Sequence, residues 1–239
     1  MFDAVASGTA DAGVVPIENL VNGTVRENYD LLLEHDLAIV GEVVVPVRLC
    51  LAALRGERTE DIERVYSHIQ ALGQAEAFLR RRPWTLLTTY NTAGAGKLIA
   101  ERREEHAAAL LSPRAAALFG LEILATDIQD VPDNRTRFIV LGRQPAPPTR
   151  AQGPARTTLV FGVRNEPGSL LRVLNVFAQR DVNLSRLESR PSREKAWEYF
   201  FWTDADGAAD DPNVAAALAE LQKVTTVVRV LGSYPRASD

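Results

Sequence analysis

The chain has 239 residues, 46% of them hydrophobic and 24% charged, which is an ordinary composition for one large globular domain or two smaller ones. Its net charge of −4 at pH 7 excludes the basic excess that a nucleic-acid-binding protein carries. The single cysteine, Cys50, excludes an internal disulfide and a cysteine-based zinc site, and His35, His68 and His106 lack metal-ligand spacing. We therefore expect no metal, no nucleic-acid partner and a reducing compartment.

Two sequence features bear on where the protein resides. The first residues, MFDAVASGTADAG, have neither the basic nor the apolar region of a signal peptide. The apolar run at 37–54 is interrupted by Glu42, Pro46 and Arg48, which argues against a membrane span. We expect a cytoplasmic protein that does not bind membranes.

The first part of the chain alternates short apolar strands with helices. We predict strands at 12–17, 62–68, 84–90, 107–112, 121–124 and 137–142, a strand or strand pair at 38–54, and helices at 24–35, 69–82, 92–104 and 113–120. Pro113 suits a first helical turn, and Gly120 suits the residue that ends a helix. Such alternation predicts a largely parallel sheet with helices on both faces and a ligand site at the carboxyl ends of strands.

The second part of the chain has a different order of elements. A stretch rich in proline at 144–155 is typical of a linker. We predict strands at 156–163, 182–191, 196–204 and 225–234, and helices at 168–180 and 211–224. The order βαββαβ is that of a ferredoxin-like domain.

Four short motifs stand where strands end and helices or turns begin. Taken alone, each has an ordinary structural interpretation. VPIENLVNGTV can be a turn whose backbone Gly23 relaxes, and YSH a helix start that Ser67 caps. TAGAGK can be a closely packed helix start that Thr92 caps, and DNRTRF a turn before a strand. TAGAGK lacks the full spacing of a nucleotide-binding P-loop, with Leu98 at the position of the magnesium ligand.

The order of these motifs resembles that of the prephenate dehydratases with a C-terminal ACT regulatory domain. The stretch from Val15 to Val25 is similar to that family's VPIENS-x-x-G-x-V, and Ser67 to Gln74 is similar to its SHPQA-x-x-Q. TAGAG at 92–96 and Asn134 with TRF at 136–138 match two further motifs. NEPGSL and VNLSRLESRP resemble the two motifs of its ACT domain.

The resemblance implies a two-lobed catalytic domain like the type II periplasmic binding proteins, followed by a ferredoxin-like ACT domain. The catalytic domain would cover 1–143, the linker 144–155 and the ACT domain 156–239. The stretches 38–54 and 137–142 are the candidates for the strands that cross between lobes. The family converts prephenate to phenylpyruvate, water and carbon dioxide without a cofactor, in the biosynthesis of L-phenylalanine.

The resemblance also implies roles for particular residues. Thr136 would donate to the departing hydroxide, and Arg137 would hold the side-chain carboxylate of the substrate. The remaining substrate-binding candidates are Glu18, Asn19, Ser67, Gln74, Thr92 and Phe138. A second role is open for Glu18, which would fix its neighbours without touching the substrate. L-phenylalanine would bind in the ACT domain at Pro167, Gly168, Ser169, Leu170, Asn183, Leu184, Glu188, Ser189, Arg190 and Pro191. Because two ACT copies are usually required, a homodimer or homotetramer is expected.

The sequence departs from the family pattern at several points. Leu20 stands in place of a serine, Ile69 in place of a proline and Leu49 in place of a histidine. The family's opening strand with its Gly-Pro-x-Gly-Thr turn and helix is also not found in the sequence. Two alternatives therefore stay open: an arogenate dehydratase of the same fold, or a catalytically inactive regulatory protein that binds phenylalanine.

Overall fold

A computed structural model describes residues 1–146, 154–191 and 199–237. The chain divides into two compact units, one formed by residues 1–45 with the residues from 136 onward, and the other by residues 46–135. Residues 147–153 of the predicted linker lie outside the described residues, as do residues 196–198 of the predicted strand at 196–204.

The first unit begins with a four-stranded sheet in the expected catalytic domain, and this sheet with its helices is called the first lobe. Its strands are β1 (Gly13–Asn19), β2 (Gly23–Thr24), β3 (Ala38–Pro46) and β9 (Arg135–Gly142), in the spatial order β2-β1-β9-β3. Helices α1 (Phe2–Ala6) and α2 (Arg26–Glu34) belong to the same lobe. Strand β1 is antiparallel to both β2 and β9.

The second unit carries its own five-stranded sheet. The strands are β4 (Cys50–Ala53), β5 (Arg64–Ser67), β6 (Thr85–Thr88), β7 (Ala107–Leu111) and β8 (Glu122–Ala125), in the order β6-β5-β7-β4-β8. Its helices are α3 (Ile69–Gln74), α4 (Glu76–Leu79), α5 (Thr92–Arg102) and α6 (Pro113–Leu118), with a 3-10 turn at Thr59–Asp61. Strand β5 is parallel to β6 and β7, whereas β4 is antiparallel to β7 and β8.

The prediction of one largely parallel sheet is therefore wrong. The apolar run at 38–54 forms two strands, β3 and β4, that belong to different sheets. Strand β9 returns to pair with β1, more than a hundred residues earlier in the chain. Alternating strands and helices predict parallel neighbours only when consecutive strands share a sheet, and here the chain changes sheet twice.

The second part of the chain, which is the expected ACT domain, completes the first unit as a ferredoxin-like fold. Its elements are β10 (Ala155–Val163), α7 (Ser169–Ala178), β11 (Leu184–Pro191), β12 (Tyr199–Asp206), α8 (Pro212–Val224) and β13 (Val227–Pro235), with the strand order β11-β12-β10-β13. All three strand pairs are antiparallel. The predicted βαββαβ domain is confirmed, and β10 begins at Ala155.

Strand β10 is covered on both faces, which places the ACT domain against the first lobe. Leu159 and Phe161 pack with the helices of the ACT domain. Val160 points the other way and packs with lobe residues in a shared core. In that core the ring of Tyr29 from α2 meets Trp202 from β12 edge-on, with ring centres 4.7 Å apart. The lobe and the ACT domain therefore stabilise each other through one apolar core.

Within the described residues, no helix is long and apolar enough to cross a membrane.

Candidate active site and its neighbours

The candidate catalytic hydroxyl belongs to Thr136 at the start of β9. Asn19, at the end of β1, pairs with Thr136 in the strand register, and its Nδ2 donates to the threonine Oγ1 over 3.0 Å. Asn19 is buried and Thr136 is half-buried, so the hydrogen bond is partly protected from competition by water. The structure thus brings together two residues that stand 117 positions apart in the chain.

The turn after β1 fixes which end of the Asn19 amide faces Thr136. The side-chain oxygen of Asn19 accepts from the backbone N–H of Val21 over 3.1 Å and of Asn22 over 2.9 Å. The NH₂ group must then point towards Thr136 as a donor. Since the Thr136 oxygen accepts this hydrogen bond, the threonine proton is left to be donated elsewhere.

Arg137 lies on the opposite face of the same strand. Successive side chains of a strand alternate, and Arg137 is paired in register with Glu18 while Thr136 is paired with Asn19. The guanidinium of Arg137 contacts three carboxylates: Asp204 at 2.7 Å, Glu42 at 3.3 Å and Glu18 at 3.6 Å. Arg137 is therefore engaged with the protein itself.

These contacts belong to a partly buried cluster of charges on β1, β3, β9 and the ACT sheet. Its described members are the carboxylates of Glu18, Glu42 and Asp204 and the guanidinium groups of Arg137, Arg156 and Arg186. The Glu42 side chain is 1% exposed and is bound by both Arg137 and Arg156. Burial by itself would lower the pKa of Arg137, but the charges of Asp204 and Glu42 outweigh it and raise that pKa.

Tyr234 of the ACT domain lies next to the cluster and is connected to it through Thr158. Its hydroxyl lies 2.7 Å from that of Thr158, which in turn donates to Asp204 over 2.7 Å. Burial and, next, the charge of Asp204 raise the pKa of Tyr234, so it stays neutral at physiological pH.

Two of the three carboxylates in this cluster, Glu42 and Asp204, are not among the site residues predicted from the sequence, whereas Glu18 is. In the sequence, Glu42 counts only as evidence against a membrane span. Both lie within apolar strands, Glu42 in AIVGEVVVP and Asp204 in YFFWTDAD. A carboxylate in such a strand is seldom buried without a cationic partner, and that signal could have identified both residues.

Glu18 and Phe138 flank the Thr136–Asn19 pair along the strands. The Glu18 carboxylate lies near Arg137 and near the Nε of Arg186, at 3.8 Å from the latter. Phe138 is half-buried and pairs in register with Pro16. The position of Glu18 suits a residue that fixes its neighbours, and both roles stay predictions.

The other three substrate-binding candidates lie in the second unit. Ser67 ends β5 and is buried, and its hydroxyl donates to the backbone oxygen of Leu110 over 2.6 Å. It does not cap the following helix, because His68 does so by accepting from the N–H of Gln70. Gln74 ends α3, and its backbone oxygen accepts from the N–H of Asp130 over 2.7 Å.

Thr92 begins α5 without capping it. Asn91 is the capping residue, since its side chain accepts from the N–H of Gly94 over 2.6 Å. The expectation that Thr92 caps this helix is wrong by one position, because asparagine is the stronger capping residue. At Gly96 a Cβ would lie 2.8 Å from a methyl carbon of Leu111, so the small residues of TAGAGK allow close packing of α5 on β7.

The predicted effector residues fall on two elements of the ACT domain. Gly168 adopts a left-handed backbone with φ of 78°, which glycine tolerates without strain, and it opens α7 after Pro167. Ser169 is buried and accepts from Arg172 over 2.9 Å. Leu170 of α7 and Leu184 of β11 pack against the same core. Asn183 donates to the carboxylate of Asp206 over 2.7 Å.

The charged residues of the ESRP motif contact the catalytic lobe. The Glu188 carboxylate accepts from the hydroxyl of Thr24 in β2 over 3.0 Å. Arg190 donates to the backbone oxygen of Arg26 and forms an ion pair with Asp30 of α2 at 3.2 Å. Ser189 and Pro191 alternate with them along β11. The effector role of these residues stays a prediction.

Comparison with known proteins identifies the family to which the chain is similar. Residues 1–146 match the family described as prephenate dehydratase, and residues 157–222 match the ACT domain. Arogenate dehydratase/prephenate dehydratase 2 of Arabidopsis thaliana is 43% identical over 98% of this chain, which spans only 64% of that relative.

Two solved structures are similar over nearly the whole chain. A prephenate dehydratase of Arthrobacter aurescens in complex with L-Phe is 40% identical, with a TM-score of 0.86 over 98% of this chain and 78% of the other. GqqA, called a novel type of quorum quenching acylase, is 35% identical, with a TM-score of 0.87 over 99% of this chain and 86% of the other. On the family matches and these likenesses, the chain belongs to the prephenate dehydratase family and carries an ACT domain after its catalytic domain.

Proposed function

We propose that the chain is a prephenate dehydratase that releases water and carbon dioxide from prephenate to give phenylpyruvate. Family membership supports the substrate class. The observation that carries the proposal is the hydrogen bond from Asn19 to Thr136, because it leaves the threonine proton for a departing oxygen.

The reaction needs an acid and an unsolvated carboxylate. The bond from the ring to its carboxylate breaks, and its electron pair forms the new ring double bond as the ring becomes aromatic. The ring hydroxyl leaves with its own bonding pair and takes up a proton to become water. Thr136 assists this departure by donating a hydrogen bond to the developing hydroxide. No cofactor enters the balance.

Arg137 acts in this proposal as a support for Thr136. The sequence suggested that it binds the side-chain carboxylate of the substrate, but its guanidinium is held by Asp204, Glu42 and Glu18. A substrate carboxylate would have to displace these buried ion pairs, which is costly. The remaining binding roles of Asn19, Ser67, Gln74, Thr92 and Phe138 are part of the proposal as predicted.

The proposal includes feedback inhibition by L-phenylalanine, the end product of the biosynthetic sequence. An ACT domain is present, and a prephenate dehydratase 40% identical to this chain has been solved with L-Phe. We place the effector near Pro167 to Leu170, near Asn183 and Leu184, and near Glu188 to Pro191. We further propose a cytoplasmic homodimer or homotetramer with the domain division at 144–155, since ACT sites are usually shared between two copies.

The direct test is turnover of prephenate by the purified chain, followed by the appearance of phenylpyruvate. Thr136→Ala, purified in the same way, controls for contaminating activity. We expect turnover by the wild type well above that of the variant. Equal rates in the two samples would refute the proposal.

A second candidate is arogenate dehydratase. It is favoured by the Arabidopsis relative, whose name gives both activities at 43% identity. Leu20, in the turn after Asn19, is 66% exposed and departs from the family's serine next to the candidate site. Parallel assays with prephenate and arogenate distinguish the two dehydratases. A chain that binds phenylalanine but turns over neither would be the inactive regulator.

A further inference from the structure

A carboxylate of the ACT domain reaches the strand that carries the candidate catalytic threonine. Asp204 lies on β12, is buried, and contacts the guanidinium of Arg137 at 2.7 Å. Its other oxygen accepts from the hydroxyl of Thr158 over 2.7 Å. The carboxylate is therefore held within the ACT sheet while it binds a residue of the catalytic lobe.

Asp204 is the nearest of the three carboxylates that hold Arg137, and the other two are shared. Glu42 also binds Arg156, and Glu18 also binds Arg186. Neutralising Asp204 would leave the described cluster with three guanidinium groups and two carboxylates. Buried charges that lose a partner move or take up water, so Arg137 would change position.

A displacement of Arg137 is transmitted to Thr136 directly, because the two residues are joined by one peptide bond. The two residues are adjacent in β9, and each is paired in register with a neighbouring residue of β1. A shift of the Arg137 side chain therefore changes the position of the Thr136 hydroxyl relative to Asn19. A misplacement of about 1 Å at a reacting group costs roughly 100-fold in rate.

The same carboxylate lies beside the strand that carries the ESRP motif. Arg186 of β11 is the register partner of Asp204 in β12. Two positions further along β11, Glu188 bonds to Thr24 of the catalytic lobe. A displacement of β11 by an effector would thus act on Asp204 through the strand pair.

We propose that Asp204 is a positioning residue that links the ACT domain to Thr136 through its ion pair with Arg137. This inference deepens the proposed function and rests on it for the kinetic readout. Asp204 touches no substrate, and its effect is exerted through the position of the strand.

The test compares Asp204→Asn with Asp36→Asn in the full chain. Asp36 forms another ion pair between the catalytic lobe and the ACT domain, with Arg229 at 3.2 Å, but its side chain is exposed and contacts no member of the cluster. We expect Asp204→Asn to lower kcat by roughly tenfold with KM changed by less than about threefold. The phenylalanine concentration that halves turnover should shift by roughly 2- to 30-fold. Asp36→Asn should match the wild type in all three quantities.

Thr158→Val provides a milder second variant, because it frees the Asp204 carboxylate without removing its charge. We expect kcat and the phenylalanine concentration that halves turnover to change in the same direction as in Asp204→Asn, but by a smaller factor. Wild-type kcat and wild-type phenylalanine response in both Asp204→Asn and Thr158→Val would overturn the inference while leaving the dehydratase proposal intact.

Hydrogen exchange gives a readout that does not depend on turnover. Amides of residues 135–142 should exchange faster in Asp204→Asn than in the wild type or Asp36→Asn, since the ion pair restrains β9. If the wild type turns over no prephenate, the dehydratase proposal fails and this measurement still decides the role of Asp204. Identical exchange in all three proteins would overturn it.

Discussion

The strength of the Thr136 hydroxyl as a hydrogen-bond donor depends on its neighbour Asn19 more than on the acidity of threonine itself. A threonine is a weak acid, but Asn19 donates to its oxygen, and two backbone N–H groups fix the orientation of that amide. A hydroxyl that accepts a hydrogen bond is a stronger donor in turn. The pair is therefore prepared to stabilise negative charge that develops on a leaving oxygen.

Substitutions at Thr136 separate the hydroxyl from the rest of the side chain. Thr136→Ser retains the donor and should keep kcat within about tenfold of the wild type. Thr136→Ala removes it and should lower kcat on the order of 10²- to 10³-fold with little change in KM. Steady-state kinetics of the three proteins check this, and an alanine variant as fast as the wild type would contradict the donor role.

Asn19→Asp tests the direction of the hydrogen bond between Asn19 and Thr136. The carboxylate can still accept from Val21 and Asn22 but cannot donate to Thr136. The threonine proton would then be directed at the carboxylate, and kcat should fall as in Thr136→Ala. A variant with wild-type kcat would show that the direction of this bond is unimportant.

Cys50 should be inert in the folded protein. Burial, with a smaller contribution from the charge of Asp127, raises the pKa of its thiol to about 11. At pH 8 the thiol is protonated and enclosed, so a disulfide reagent should react with it only after denaturation. Rapid labelling of the native protein would contradict the burial of β4.

The presence and type of most elements followed from the sequence, whereas their ends and their partner strands did not. The helix predicted at 69–82 is two short helices, because Ala75 leaves the helical conformation between them. The pairing of β9 with β1 and the separation of β3 from β4 depend on contacts between distant residues, which no local pattern encodes. The order of the elements of the ACT domain was predicted correctly, because its four strands form a single sheet with two helices between them.

In the candidate site, too, residues in local motifs could be predicted from the sequence, whereas contacts between distant residues could not. The TRF and VPIEN motifs identified Thr136 and Asn19, since both residues stand in short ordered motifs. The partners of Arg137 lie on β1, β3 and β12, and only the folded chain brings these strands together. The sequence therefore predicts that Arg137 binds the substrate, and it does not predict the three ion pairs that Arg137 forms within the protein.

The contact between strands β13 and β3 depends on a glycine. A Cβ at Gly232 would lie 2.0 Å from the backbone oxygen of Ile39, and a backbone atom cannot move aside as a side-chain tip can. Gly232→Ala should therefore destabilise the protein by about 3 kcal/mol and lower Tm by roughly 6 °C or more.

Gly73 is the control for that substitution. It lies in α3, where a Cβ would meet nothing within 4 Å. Gly73→Ala should stabilise the protein by roughly 0.5–1 kcal/mol, because alanine restricts the unfolded chain and favours helix. Thermal unfolding of both variants tests the pair, and equal Tm values would contradict the close approach of β13 to β3.

At the scale of the whole molecule, the ACT domain and the first catalytic lobe behave as one folded unit. They share the core around Tyr29 and Trp202 and the charged cluster around Arg137. Effector binding that altered the ACT sheet would change the energy of these shared contacts, which is what regulation by a coupling free energy requires. The second unit carries its own sheet and its own cores.

The measurement that tests the account most directly is prephenate turnover by this chain with and without L-phenylalanine, with thermal unfolding recorded in the same samples. We predict turnover that L-phenylalanine suppresses, together with a Tm that rises with its concentration. Turnover no faster than that of Thr136→Ala would contradict the catalytic assignment. Turnover that L-phenylalanine leaves unchanged would contradict the coupling of the ACT domain to Thr136.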